Sequence, residues 1–466
     1  MKKIISLSVF IICIMINCSY AGIEVPETIR IGLYSGTRAV DSFKVSSKTG
    51  MEIGTINEEG EFNLIEEVKA NKEISIEKGD DSNSVYIDGI GEIGDDENFV
   101  RIIPRGRGND LLINVSAINY RGELESYNYR GEIEARRFST SDMTVINELP
   151  IQEYLYGVVP REIGGNSPIE AVKAQAIIAR TYAMKNYNKR EKWKFNLTNT
   201  TDDQAYGGYN WENPNSNEAV DETDGLYVTY NGELIGGYYF STSGGYTESS
   251  ANVWGGEIDY LEAVPDPYEP QNLSKTTWSV TYTAKDIEEL LAKKGVDIGN
   301  VLDVVVNDFS DAGRVLELEI VGTEDSYIVT KSQARTLLNL NSQWFTVNDD
   351  EPEIPDYDYY DIINKKDEYK DNKEDNNDDE IKPLLTKILS AIEEKTFLAF
   401  SNDEIKIDVK YTANKNKNRT TTFEIKGRGW GHSVGMSQNG AIGMANNDFT
   451  CEEIIKWYYS GVEIEN

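Results

Sequence analysis

The chain has 466 residues and a single histidine, His432. It has three cysteines, and two of them, Cys13 and Cys18, fall within the first 21 residues. These shortages narrow the chemistry. A structural zinc site usually draws four ligands from Cys and His. With only Cys451 and His432 downstream, carboxylates would have to supply most of any metal site. No internal disulfide can form beyond residue 21, despite the export context argued below. A Ser-His-Asp hydrolase would have to use His432, and the G-x-S-x-G elbow is absent. Positive charge is scarce too. The 46 Lys and Arg stand against 80 Asp and Glu, a net charge of −34. Such a surface repels phosphates, which argues against nucleic acid as a partner.

Long apolar runs are missing apart from residues 4–16. Lys2 and Lys3 precede that run, and Ser19-Tyr20-Ala21 follows it as a small-x-small site. This is the pattern of an export signal, and the run is short for a membrane span. Residues 1–21 are expected to be a signal peptide or membrane anchor.

What is present suggests an α+β fold. Residues 22–118 read as β-rich, with alternation at 29–34 and 85–93 between turn residues. YRGELE (120–125) and YRGEIE (129–134) nearly repeat and suggest two short strands around a turn. Residues 226–230 and 233–240 read as a hairpin across Asn231-Gly232. Residues 278–282 read as a strand, followed by a helix capped by Thr283 with Asp286. Residues 301–307 and 314–321 form a second expected hairpin. Thr330 with Gln333 predicts a capping box for a helix at 331–339, and Thr450 with Glu453 predicts another at the last helix. A mixed core is expected over 119–348, containing a long Ala-rich helix, and its C-terminal part over 401–466. Between them, residues 349–400 read as an acidic, partly disordered insertion. Its stretch 349–380 holds 15 acids against 4 lysines and few large aliphatics.

The strongest single feature lies at 149–186. Ser167, Pro168 and Glu170 form a helix start signal, with Ser167 as cap and Glu170 closing a capping box. The helix carries Lys173 and Arg180 two turns apart, on one face. Its alanines let other elements pack close. Glu162 lies just before it, in a Gly-Gly turn from which an acid can project into a cleft. A glycosidase ordinarily needs two carboxyl groups. A transglycosylase that closes muramic acid on its own O6 needs one, because the same residue can protonate the leaving oxygen and then take the O6 proton. The many aromatics between candidate sites, Tyr239 among them, either pack a core or stack on sugars. The Gly-rich loop at 427–435 lets backbone, Arg428 and His432 approach a ligand closely.

Four segments occur in order: LPIQEYLYGVVPREI (149–163), EAVKAQAIIARTYA (170–183), STSGG with ESSANVWGG (241–256), and GRGWGHSVGMSQNGA (427–441). Together they resemble the SpoIID/LytB family of bacterial cell-wall proteins, and IRIGLYSG near the start adds to the match. The resemblance implies a peptidoglycan lytic transglycosylase. SpoIID-type members cut glycan strands that have lost their stem peptides, during engulfment in sporulation, leaving 1,6-anhydroMurNAc ends. It places the catalytic acid at Glu162 and supporting cations at Lys173 and Arg180. Ser241, Ser243 and His432 match further cleft positions, with Tyr239 and Arg428 beside them as substrate-binding candidates. It implies glycan strands as partner, with a cell-wall amidase and other engulfment proteins alongside, and a location in the cell wall or on the outer face of the cytoplasmic membrane. Some relatives bind zinc through His and Cys after the long helix. Residues 196–206 (NLTNTTDDQAY) have neither, so neither zinc nor another cofactor is expected. LytB-type relatives, described as enhancers of a cell-wall amidase, supply the alternative of glycan binding without catalysis.

Overall fold

The computed structural model describes residues 26–80, 83–94, 99–108, 111–138, 143–270, 272–349, 352 and 421–466. The export signal and nearly all of the acidic insertion lie outside the described residues. The fold is mixed α+β and rich in strand, as expected.

Alternation at the N-terminus produces strands with one face inward. Thr28–Tyr34 buries Ile29, Ile31 and Leu33, pairs antiparallel with Met143–Pro150 and runs parallel to Leu197–Thr198. These strands belong to a seven-stranded sheet, and a six-stranded sheet accompanies it. The near-repeat at 120–134 does form two strands, Leu124–Tyr129 and Glu132–Arg137, but they enter different sheets. Gly131 turns the chain at φ +70°, and a Cβ there would meet Glu148 O at 2.2 Å.

Eight helices occur among the described residues: α1 (Ile151–Val159), α2 (Ile169–Lys185), α3 (Pro214–Glu222), α4 (Ser250–Trp254), α5 (Ala284–Ala292), α6 (Ser332–Leu337), α7 (Gln438–Ala445) and α8 (Cys451–Tyr458). None is long and apolar enough to cross a membrane. Helix α2 is buried along most of its length, as its alanines allow, and it contacts α1, α3, α7 and α8. One apolar cluster joins the N-terminal sheets to these helices, so the boundary expected at 118/119 does not interrupt the core.

Ser167 does not cap α2. Its hydroxyl donates to Ile163 O at 2.7 Å, and Pro168 takes the N-cap position. Glu170 is drawn elsewhere, to Lys173 at 2.9 Å and to the Cys451 N–H at 2.8 Å. The capping box expected from Thr330 is also absent, since α6 starts after Lys331, which has a positive φ of 53°. The boxes Thr283/Asp286 and Thr450/Glu453 are both present.

The stretch expected as one core, 119–348, encloses a second apolar cluster. It is built on Ile287, Leu291, Leu318, Ile320 and Phe345, and it recruits Phe423 and Ile425 from beyond the insertion. Its strands form two three-stranded sheets. Arg314 connects this unit to the main core. Fully buried, it donates to the carbonyls of Thr247 (2.9 Å), Ser243 (3.0 Å) and Tyr246 (2.6 Å), with its guanidinium over the Trp344 ring. Burial lowers its pKa to about 10, so it remains charged at neutral pH. Arg314→Met should leave buried carbonyls without donors and cost about 2 kcal/mol or more. Denaturant unfolding measures this, and a loss within experimental error would show the strut to be dispensable.

Candidate active site

Glu162 sits in a single π-helical turn, Pro160–Gly164, that continues α1 and stops at Gly164 with φ +87°. Such turns displace a side chain from the regular helical track and recur at functional sites. The carboxyl is half-buried. It accepts the Ala205 N–H at 3.0 Å, and the side chains of Tyr239 and Gln438 hydrogen-bond to it. Burial raises its pKa above the ordinary glutamate value, outweighing these donors and the nearby charge of Arg161.

Neutral polar groups extend this arrangement. Gln204 donates to the Tyr239 hydroxyl at 3.2 Å and to Ala179 O at 3.2 Å, and it accepts from the Tyr154 hydroxyl at 3.1 Å. Gln438 donates to Gln175 Oε1 at 3.4 Å. Tyr239–Phe240 runs parallel to Met436–Ser437, pairing Tyr239 with Met436 and Phe240 with Ser437. That register sets Tyr239 and Gln438 on adjacent segments beside Glu162. Of the candidate residues, the structure therefore brings together Glu162 and Tyr239.

Lys173 and Arg180 are not brought to Glu162. Lys173 pairs with Glu170 at 2.9 Å and Glu222 at 2.7 Å. Arg180 is buried and donates to Gln152 Oε1 (2.8 Å), Val220 O and Leu226 O (both 3.2 Å). Both do share a face of α2, but that face meets α3 and the turn after it. Gln175, two residues past Lys173 and so roughly 200° round the helix, points to the Glu162 side.

His432 lies against Trp254 (5.3 Å between centroids), Phe240 (5.6 Å) and Tyr238 (6.5 Å). Its Nδ1 accepts the Val434 N–H at 3.1 Å, and it hydrogen-bonds to the Tyr239 backbone. Burial, with the charge of Arg335, lowers its pKa to about 4. It is thus a neutral, packed histidine that holds the Gly-rich loop to the Tyr239 strand. Ser241 pairs its hydroxyl with Thr242 at 3.2 Å, and its carbonyl takes the Asn439 N–H at 3.1 Å. Arg428 donates from Nε to Gly244 O at 3.1 Å.

Ser243 leads to a group that local sequence did not reveal. Its buried hydroxyl lies 2.8 Å from Asp266 Oδ2 and 3.0 Å from Glu269 Oε2. Glu269 also accepts the N–H groups of Ser243 (2.6 Å) and Gly244 (2.8 Å) and the Ser437 hydroxyl (2.9 Å). Asp266 accepts the Tyr458 hydroxyl at 2.9 Å. One hydroxyl hydrogen cannot serve two carboxylates, so a proton resides on the pair. Two backbone donors favour charge on Glu269, which leaves Asp266 as the protonated member. Burial, then the Glu269 charge, raises the Asp266 pKa to about 7.

Residues 196–206 offer Asp202 and Asp203, and Asp203 is committed to Lys189, Arg190 and Thr198. Among the described residues no group of three or more His, Cys, Asp or Glu could hold a metal.

Parts of the chain match known family models, and much of it aligns with known proteins. Residues 139–230 match the model of the SpoIID family, described as Stage II sporulation protein. Residues 266–363, most of the second unit, match a domain of unknown function, DUF8618. The chain is 28% identical over 323 residues to an uncharacterized protein of Brachyspira hyodysenteriae, covering 69% of this chain and 68% of that one. It is 29% identical over 328 residues to the Amidase enhancer of Bacillus subtilis, covering 66% of this chain and 40% of that one. It is 25% identical over 342 residues to the Stage II sporulation protein D of Bacillus subtilis, covering 70% of this chain and 77% of that one.

Asp266 generates a pH prediction. Its folded pKa is raised, so the native state keeps a proton that the unfolded chain releases near pH 4. The associated stability is complete below about pH 4, declines as pH rises towards about 7 and then levels. Asp266→Asn should remove that decline. Melting temperatures of parent and variant between pH 4 and 8 measure it, and parallel curves would disprove the protonated pair.

Proposed function

We propose that this chain, a member of the SpoIID/LytB family through its segment 139–230, is a peptidoglycan lytic transglycosylase. Its proposed substrate is MurNAc-GlcNAc glycan without stem peptides. The observation that carries the reading is Glu162, a single carboxyl whose pKa is raised by burial and whose donors are one N–H and two neutral side chains. A carboxyl whose pKa is raised holds its proton to higher pH and can give it to the oxygen leaving C1 of muramic acid. The C1–O bond breaks with oxocarbenium character. The muramic acid's own O6 then bonds to C1, and its proton passes to the Glu162 carboxylate. The acid is regenerated, no water is consumed, and one residue serves both steps. The donors at Ala205, Tyr239 and Gln438 orient the carboxyl and stabilise it in the charged interval.

The reaction needs no metal, and activity is expected to survive chelators. Export, a location at the cell wall, a role in engulfment and an amidase as partner belong to the same proposal. The match to the Amidase enhancer supports a second reading, in which the protein binds glycan and stimulates an amidase without cutting.

Glu162→Gln separates the two. It should fold normally and lower cleavage of denuded glycan by about 10²–10⁴-fold, measured by mass spectrometry of 1,6-anhydro ends. Activity in the parent should persist to higher pH than an ordinary glutamate would allow, and fall as pH rises through the raised pKa of Glu162. Cleavage by the variant at the parent rate would remove Glu162 as the acid. Absence of cleavage by either protein, with an amidase stimulated by both, would establish the second reading.

A further inference from the structure

Arg161, one residue before Glu162 in the same π turn, is exposed to solvent. Its guanidinium carbon lies 4.8 Å from the centroid of the Trp211 ring, and Nη1 reaches Tyr206 O at 3.4 Å. Trp211 is itself 48% exposed. The stack depends on Gly207, where a Cβ would come within 2.3 Å of the indole and 2.7 Å of Arg161 Cδ. The chain carries 80 acids against 46 bases, and several of its arginines pair with carboxylates. Arg101 contacts Glu132, Glu134 and Glu148, and Arg130 contacts Glu212. Among the described residues no carboxylate lies within ion-pair range of Arg161. Its charge is nonetheless felt at Glu162.

A half-exposed indole offers apolar surface for a sugar ring, and a preorganised guanidinium fork offers a site for a carboxylate. Together they suit an acidic sugar. Muramic acid carries a lactyl carboxyl. In an intact strand that carboxyl is amide-linked to the stem peptide, and in a denuded strand it is a free anion.

We propose that the Arg161–Trp211 stack reads the free lactyl carboxylate of a denuded muramic acid and thereby sets preference for glycan without stem peptides. The inference rests on the glycan reading of the Glu162 site. The carboxylate binds the fork while the indole covers the sugar. Arg161 acts as a specificity residue and takes no part in proton transfer. A peptide at that position would remove the charge and add bulk against the stack.

The test measures binding in the Glu162→Gln background at low salt, by calorimetry. Three probes are used: denuded glycan fragments, the same fragments with their carboxyls amidated, and chitotetraose. The expected result is denuded glycan bound about tenfold more tightly than the amidated form, with the preference shrinking as salt rises. Adding Arg161→Met should bring the two to parity and leave chitotetraose binding unchanged. Arg161→Lys, which keeps the charge but loses the planar fork, should retain part of the preference. Preference intact in Arg161→Met, or absent from the Glu162→Gln protein, would overturn the assignment while leaving glycan binding in place. Failure to bind any of the three probes would overturn the glycan reading as well.

Discussion

The site depends on the carboxylate of Glu269. Ser243 and Ser437 belong to segments far apart in sequence, and both converge on its Oε2 atom. Ser437 follows Met436 in the strand that pairs with Tyr239–Phe240, and its hydroxyl also caps α7 by accepting the Gly440 N–H at 3.1 Å. The same contacts therefore hold the turn after the Tyr239 strand and the residue before Gln438. Tyr239 and Gln438 are two of the groups that orient Glu162. Arg314 holds the Ser243 carbonyl from the other side, which ties the second unit to the same point. Gly440 has no side chain because a Cβ would come within 2.3 Å of Asp266 Oδ1.

Three glutamates show why one carboxyl suits an acid's role and the others do not. Glu134 is fully buried, and burial pushes its pKa up, yet Arg30, Arg136 and Arg101 together outweigh that and pull it down. Glu170 is less buried, and its bonds to Lys173 and the Cys451 N–H lower it. At Glu162 the donors are one amide and two neutral side chains, and the cation whose charge reaches it, Arg161, lies at the rim. Burial wins there because these neutral donors and one outlying charge do not together offset its cost.

Much of the local structure was legible in sequence, because it is set by contacts a few residues apart. The capping boxes at Thr283 and Thr450 needed only an acid three residues on. The turn at Asn231-Gly232 needed only two residues that accept positive φ, although the expected strand 233–240 pairs there only over Glu233–Leu234 and Tyr239–Phe240 joins Met436–Ser437 instead. One failure was a local competition, since the Ser167 hydroxyl donates to Ile163 O four residues back instead of capping α2. Another came from distant partners, since the two strands of the YRG repeat are claimed by different sheets. Asp266 and Glu269 gave no signal at all, since their partners lie on other segments. Gln204, Gln438 and Gln175 were equally silent. A neutral amide has no titration chemistry to draw attention, although neutrality is what the carboxyl requires of its neighbours.

That requirement also explains the placement of Lys173 and Arg180. A cation in contact with Glu162 would favour its ionised form and oppose the burial that raises its pKa. Helix α2 avoids the conflict by dividing its faces. Charge is satisfied on the α3 side, Lys173 by Glu222 and Arg180 by Gln152 and two carbonyls. The side towards α7 presents Gln175 and the Ala179 carbonyl, which hold Gln438 and Gln204. The two cations hold α2 against its neighbours on the α3 side, while the polar groups that reach the carboxyl stay neutral. A helix that carries strong charges and small residues in alternation can thus support an acid without ionising it.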